Sequence, residues 1–154
     1  MSIVYRIADC GDLDGIYEIE KTSFLTPWSF DSLKHDVCEY EASLYMVALE
    51  DDQVVGFCGT HIVFDECHIN NVAVKNEFRR RGIAKGMINF LFDSTKHISK
   101  LYWLEVRKSN TPAKNLYESF GFKSIAIRPK YYSDTKEDAT VMLKEPKSQS
   151  KKTN

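Results

Sequence analysis

The sequence predicts an α/β (α+β) domain, with a mixed, mostly antiparallel central sheet of about seven strands flanked by about four helices. Three observations lead there. Stretches of strand and helix period follow one another in the order strand, two helices, three strands, helix, strand, helix, two strands. The three consecutive strands are joined by short polar turns, which makes them antiparallel. A length of 154 residues, 43% of them hydrophobic, suits one core without staples, so a single domain is expected over 1–145.

Residues 3–7 alternate weakly and read as the first strand. A helix follows, with Asp12 as its cap and Leu13, Ile16, Tyr17 and Glu20 along one side. Phe24-Leu25-Thr26-Pro27-Trp28 interrupts it, and Ser29 caps a second helix carrying Phe30, Leu33 and Val37. Trp28 in this proline-containing loop either plugs the edge of the core or faces a substrate. Residues 44–50, a turn at Asp51-Asp52 and residues 53–64 form a hairpin, with Gly56 and Gly59 at bends or bulges. Asp65-Glu66 turns the chain into a strand that ends at Val74.

Residues 101–106 read as a buried strand holding one anomalous carboxylate, Glu105. Thr111-Pro112 opens the next helix as a cap followed by a first-turn proline, with Ala113, Leu116, Tyr117 and Phe120 at helical spacing and Gly121 as the stop. Residues 122–127 and 140–143 are the last two strands. The polar residues 146–154 are expected to be a disordered tail.

The stretch that organises the chain begins at Val72-Ala73-Val74, passes through Arg79-Arg80-Arg81-Gly82-Ile83-Ala84, and ends in a helix with Ala84, Met87, Ile88, Leu91 and Phe92 on one face. The start of that helix leaves backbone N–H groups free and carries the positive end of the macrodipole, which attracts anions. Gly82 has no Cβ and lets a phosphate approach the backbone, while Arg79, Arg80, Arg81 and Lys85 add charge around it. A pyrophosphate fits such a loop.

The overall balance is ordinary. The formal net charge is −1 and charged residues make up 28%, so no global basic field points to nucleic acid. No run reaches the ~18 apolar residues that would span a bilayer, and no leader is apparent at the N-terminus. The cysteines Cys10, Cys38, Cys58 and Cys67 form no C-x-x-C pair and are expected to be reduced thiols of a cytoplasmic protein, working as a monomer or weak dimer. Cys67-His68 is the one close pair that invites a metal reading, but further ligands are lacking, and no metal is expected.

The spacing of Arg79, Gly82 and Ala84 matches the [Arg/Gln]-x-x-Gly-x-[Gly/Ala] loop of the GNAT acetyltransferase superfamily, and the order of elements is similar to that family's. The resemblance implies acetyl-coenzyme A as cosubstrate and a fold in which two neighbouring strands splay apart to admit it. Within it, the chain looks most like the RimI branch, bacterial enzymes that acetylate the N-terminal alanine of a small-subunit ribosomal protein. The segments that carry this likeness are 104–110, 116–122, Pro27-Trp28-Ser29, and Arg128-Pro129-Lys130-Tyr131-Tyr132 with Glu137-Asp138-Ala139.

Amide formation from a thioester needs a neutral amine, a held oxyanion and a proton for the departing thiolate. Glu105, desolvated in its strand, is expected to have a raised pKa suited to a general base; the alternative is a structural salt bridge with Arg107 or another cation. Tyr117 is either a core aromatic or the acid that protonates the thiolate. The resemblance implies Glu105 as base and Tyr117 as acid. It also implies coenzyme contacts at Val72, Ala73, Val74, Arg79, Arg80, Arg81, Gly82, Ile83, Ala84, Lys85 and Asn110, and acceptor contacts at Trp28 and Tyr131. Pro129 stands where a polar residue was expected. Transfer to another amine (lysine, polyamine or antibiotic), or a non-catalytic acetyl-coenzyme A sensor, are the competing readings.

Overall fold

A computed structural model describes residues 2–146, so residues 147–154 of the expected tail lie outside the described residues. The elements are β1 (Val4–Ile7), α1 (Leu13–Ser23), α2 (Phe30–Lys34), β2 (Ser43–Glu50), β3 (Gln53–Val63), β4 (Glu66–Val74), α3 (Ile83–Thr95), β5 (Leu101–Arg107), α4 (Thr111–Ser119), β6 (Lys123–Arg128) and β7 (Ala139–Lys144). They reproduce the expected order, with ends shifted by a residue or two.

The seven strands form one sheet in the order β1-β2-β3-β4-β5-β7-β6. Every neighbouring pair is antiparallel except β4 and β5. That parallel pair is also the shortest central contact. Only Glu66↔Leu101, Cys67↔Tyr102 and His68↔Trp103 are in register, after which the strands part. The expected splayed pair is therefore present, with its fork at His68.

Both faces of the sheet are covered, as the alternation along β2 requires. Met46 and Ala48 join Met87, Ile88 and Leu91 of α3 and Tyr117 of α4 in one core. Tyr45, Val47 and Leu49 join Ile16 and Ile19 of α1 and Leu33 of α2 in the other. Burial of this apolar surface, worth ~25 cal/mol per Å², holds the helices in place. Gly59 is required by the second layer, because a Cβ there would lie 2.6 Å from the Tyr45 ring.

A register shift between Gly59 and Thr60 makes a bulge opposite them in β4. Gly59 faces Asn71 and Thr60 faces Ile69, so Asn70 is the extra residue. Cys67 and Ile69 point into the α3 core, yet so does Val72, and Asn70 and Asn71 both line the opposite side. Cys67 and His68 point to opposite faces and cannot share a metal ion.

Three local expectations need correction. Asp12 holds the N-cap position of α1 as expected, but its side chain makes no cap bond there: it accepts the Asp9 N–H and pairs with Arg6 at 2.8 Å, while Asp9 caps the short turn ahead of the helix by accepting the Gly11 N–H. The cap of α4 is Asn110, whose Oδ1 accepts the Ala113 N–H, so Pro112 is the second helical residue. Ser29 caps α2 as expected.

The third correction concerns the cysteines. Cys10 and Cys38 form a disulfide, and only Cys58 and Cys67 are free and buried. Nothing in a separation of 28 residues signals the pair; it forms because the turn before α1 and the π-turn His35–Glu39 after α2 stack at one edge. Burial pushes the Cys67 thiol up to about 12 and Cys58 higher still, which leaves both unreactive. Protein unfolded without reductant is expected to titrate two thiols, rising to four after reduction. Cys38→Ser is expected to lower stability by ~3 kcal/mol in urea titration, the order set by closure of a loop of this length.

Candidate active site

Where β4 and β5 part, they leave a cavity of about 480 Å³. The strands supply its floor, α4 one wall, and the α1–α2 loop together with residues 131–134 its mouth. Glu105, Tyr117, Trp28, Tyr131, Val72 and Asn110 all line it, so the expected base, acid and acceptor residues converge.

Glu105 reaches this site by strand alternation. Leu104 and Val106 point into the α3 core, which turns Glu105 and Trp103 to the other face. Its Oε1 lies 2.7 Å from His68 Nε2, and its Oε2 lies 3.7 Å from the Arg128 guanidinium. Burial raises its carboxyl, but the His68 hydrogen bond and the His68 and Arg128 charges outweigh that and hold it below the usual carboxylate range. The expected raised pKa is thus corrected: desolvation is present and its compensation was invisible in sequence. The cationic partners of Glu105 are thus His68 and Arg128, the other-cation option, and not Arg107. That guanidinium holds Asp134 at 2.7 Å and Glu137 at 3.5 Å and lies over the Tyr132 ring.

Tyr117 is packed by Phe122 and almost fully enclosed, and burial pushes its phenol well above the usual value. It is therefore a weak acid at rest, and a proton can leave it only as another bond breaks. Asn110, which caps α4, also lines the cavity.

The mouth is held by two ties. Glu20, on the buried side of α1 and only 1% exposed, accepts the Trp28 backbone N–H through Oε2 and the Asn71 Nδ2 through Oε1, each at 2.9 Å. Burial raises its carboxyl against these bonds. Thr26 Oγ1 donates to Asp134 at 2.9 Å, which joins the α1–α2 loop to the segment after β6. Trp28 is partly exposed at the rim and does not plug the edge of the core, and Tyr131, also at the cavity, lies beside Arg128.

The loop expected to hold phosphate lies beyond the end of β4, outside the cavity lining. Gly82 caps α3 with φ 76°, and nothing lies within 4 Å of where its Cβ would be. Arg80 is left-handed too, at φ 66°, an unfavourable conformation for an arginine. Ala84 lies within α3 with negative φ, so its methyl costs the loop nothing. The arginines divide their work. Arg79 Nε donates to the Val74 carbonyl at 3.1 Å, Arg81 lies over Phe78 and 3.5 Å from Glu50, and Arg80 is exposed. Ala73 and Val74 are buried and carry β4 to this loop.

Sequence reasoning missed His68, Arg128 and the bulge asparagines, whose partners are distant in the chain. Glu20 did leave a signal: a carboxylate at the spacing of the apolar side of α1.

Comparison with known proteins agrees with this geometry. Residues 13–122 match the model of the acetyltransferase (GNAT) family. A ribosomal protein bS18-alanine N-acetyltransferase of Haemophilus influenzae is 37% identical over 146 residues, covering 92% of this chain and 97% of that protein. The like-named protein of Salmonella typhimurium is 37% identical over 135 residues, covering 85% and 89%. The crystal structure of the ribosomal-protein-S18-alanine N-acetyltransferase from Escherichia coli superposes with a TM-score of 0.88 at 29% identity, covering 99% of both chains.

The environment of Glu105 has a measurable consequence. A folded-state pKa below the unfolded one contributes stability above pH ~4.5 that is lost as pH falls through the folded value. Glu105→Gln is therefore expected to be less stable than wild type at pH 7 in urea titration, and the difference should shrink steadily below pH ~4.5.

Proposed function

The chain belongs to the acetyltransferase (GNAT) family, and we propose that it moves acetyl from acetyl-coenzyme A to the N-terminal α-amine of a protein, an alanine-type terminus of a small-subunit ribosomal protein, by direct transfer in a ternary complex. The observation that carries this reading is the convergence of Glu105 and Tyr117 on one cavity at the fork of β4 and β5. The named activities of the Haemophilus, Salmonella and Escherichia relatives support the acceptor class.

In this reading the open left-handed cap at Gly82, Arg80 and the first turn of α3 hold the coenzyme's pyrophosphate. Asn110 meets its pantetheine arm. A backbone N–H of β4 between Val72 and Val74 faces the thioester oxygen and stabilises the oxyanion. Trp28 and Tyr131 bracket the incoming N-terminus, and Glu105 accepts the amine's proton directly or through a water. Attack forms the C–N bond, collapse breaks the C–S bond, and Tyr117 protonates the thiolate as it departs. Direct transfer is supported by the cysteines, since two are bonded to each other and two are buried with raised pKa values. We place the reaction in the cytoplasm, with the chain a monomer or weak dimer and no metal, nucleic acid or membrane involved.

The test is thiol release from acetyl-coenzyme A with a peptide bearing the ribosomal-type N-terminal alanine. Wild type should turn over, and Glu105→Gln should lose ~100-fold or more in kcat. A blocked peptide carrying an internal lysine should react far more slowly, because its ε-ammonium gives up a proton at a cost ~3 kcal/mol greater than an α-ammonium. Absence of turnover by protein that binds the coenzyme would replace this reading with transfer to a different amine or with the sensor, which an amine-library screen separates. Arg80→Ala is expected to raise KM for acetyl-coenzyme A roughly fivefold, with KM for the peptide unchanged and the effect fading at high salt.

A further inference from the structure

We propose that the amine's proton is taken up by a His68–Glu105 dyad in which the His68 imidazole is the basic group and Glu105 holds and polarises it. This rests on the acetyl-transfer reading above and deepens it, by moving the basic atom from a carboxylate to an imidazole.

The fold itself brings the pair together. His68↔Trp103 is the last registered pair before β4 and β5 separate, and Glu105 is two residues beyond Trp103 on the same face. His68 therefore sits at the fork, with its ring flat against Trp103 (centroids 3.8 Å apart, planes 10° apart) and Nε2 2.7 Å from Glu105 Oε1. Stacking and hydrogen bond together fix the plane and rotation of the imidazole. With Nε2–H donated to Glu105, the lone pair is on Nδ1, which makes no hydrogen bond among the described residues. His68 and Glu105 line the same cavity as Tyr117 and Trp28.

The chemistry favours the imidazole as the resting place of the proton. A carboxylate of ordinary pKa ~4.3 faces an α-ammonium near ~7.8, a gap of ~3.5 units and so a ~3000-fold penalty on proton transfer. Imidazoles as a class titrate near ~6.5, which cuts that penalty to ~20-fold. The partners of Glu105 make it a weaker base still, and better suited to stabilise an imidazolium beside it.

The proton balance is complete. The substrate ammonium gives one proton to Nδ1, and the neutral amine attacks the thioester carbon. The tetrahedral adduct expels the thiolate, Tyr117 protonates that sulfur, and the proton still on the adduct nitrogen restores Tyr117. One proton remains on the dyad and leaves to solvent, matching the single proton the overall reaction releases.

The titratable and charged groups around His68 are Glu105 of β5, at 2.7 Å, and His61 of β3, while Arg128 of β6 and Tyr131 lie against Glu105. His61 is the cross-strand neighbour of His68 and is itself tied to Asp36 at 2.7 Å. A purely structural His68 would staple the fork by donating to Glu105, and glutamine can also donate there but cannot take up a proton.

The experiment compares wild type, His68→Gln, His68→Ala and Glu105→Gln in thiol release with the alanine peptide, recording kcat, both KM values and the kcat–pH profile. The dyad predicts a fall of ~100-fold or more in kcat for both His68 variants, with KM for acetyl-coenzyme A within ~twofold of wild type as the check on folding. It further predicts loss of the wild-type acid limb near neutrality and partial, saturable recovery of His68→Ala by added imidazole. If His68→Gln keeps a third or more of kcat and the wild-type pH profile while Glu105→Gln is disabled, His68 is only a staple: this inference falls and the acetyl-transfer reading stands. A wild-type protein that binds coenzyme but releases no thiol overturns both.

Discussion

The divergence of β4 from β5 is the constraint on which the rest of this structure depends. Three residue pairs join the strands, and beyond His68↔Trp103 neither has a strand neighbour on its facing edge. Open edges inside a domain leave backbone N–H and C=O groups without ladder partners, a costly state unless something else meets them. Arg79 Nε meets one of them at the Val74 carbonyl. The rest frame a slot into which an amide-bearing ligand can lay its own donors and acceptors. The other edges of the two strands are laddered: β4 pairs with β3 from Glu66 to Val74 apart from the bulge at Asn70, and β5 with β7 from Tyr102 to Arg107.

A slot of this kind would fill with side chains unless polar groups kept it open. The bulge at Asn70 serves that end by placing two successive asparagines toward the cavity, where simple alternation would place one. Glu20 then ties Asn71 to the Trp28 backbone, so the mouth is anchored to the same strand that carries the fork. Buried carboxylates are stable only when paired or hydrogen-bonded, and each one here has its partners: Glu20 with Trp28 and Asn71, Asp12 with Arg6, Asp36 with Ser43 and His61, Glu105 with His68 and Arg128. Removing a single partner therefore perturbs more than the contact itself.

What the sequence made legible was local. The strand–loop–helix around Gly82, the cap at Ser29, the hairpin of β2 and β3, and the anomaly of Glu105 in an apolar strand are patterns within a few residues, and all survive in the structure. What it hid was pairing across the sheet. His68 meets Glu105 over 37 residues, Asn71 meets Glu20 over 51, Arg107 meets Asp134 over 27, and Cys10 meets Cys38 over 28. Periodicity says which face a residue takes and nothing of what stands opposite. That is why desolvation of Glu105 was readable while the partners that reverse its effect were not, and why Cys67-His68 suggested a shared ligand although adjacent strand residues point apart. The cap of α4 was misplaced by one residue for a different reason: Asn110 and Thr111 are both good caps, and only backbone geometry chooses between them.

In the proposed transfer, with Tyr117 as the acid, its enclosure bears on the order of events. Burial pushes its phenol upward, which alone would disqualify it as an acid at neutral pH. The same burial acts on any thiolate formed beside it, because a low-polarity surround penalises both anions. What governs proton transfer is the difference between the two, and that difference is smaller than either shift. A free thiolate would be costly in this cavity before it was protonated, so bond cleavage and proton transfer must overlap. The tyrosine then needs to be close and aligned more than it needs to be acidic, which is what its place on α4 against Phe122 secures. At the fork the requirement is the reverse. The proton of the amine must leave before the C–N bond can form, so a group that can hold it at rest is needed there, and in the proposed reaction this asymmetry fits a polar, paired His68–Glu105 dyad at the fork and an enclosed, unassisted phenol on α4.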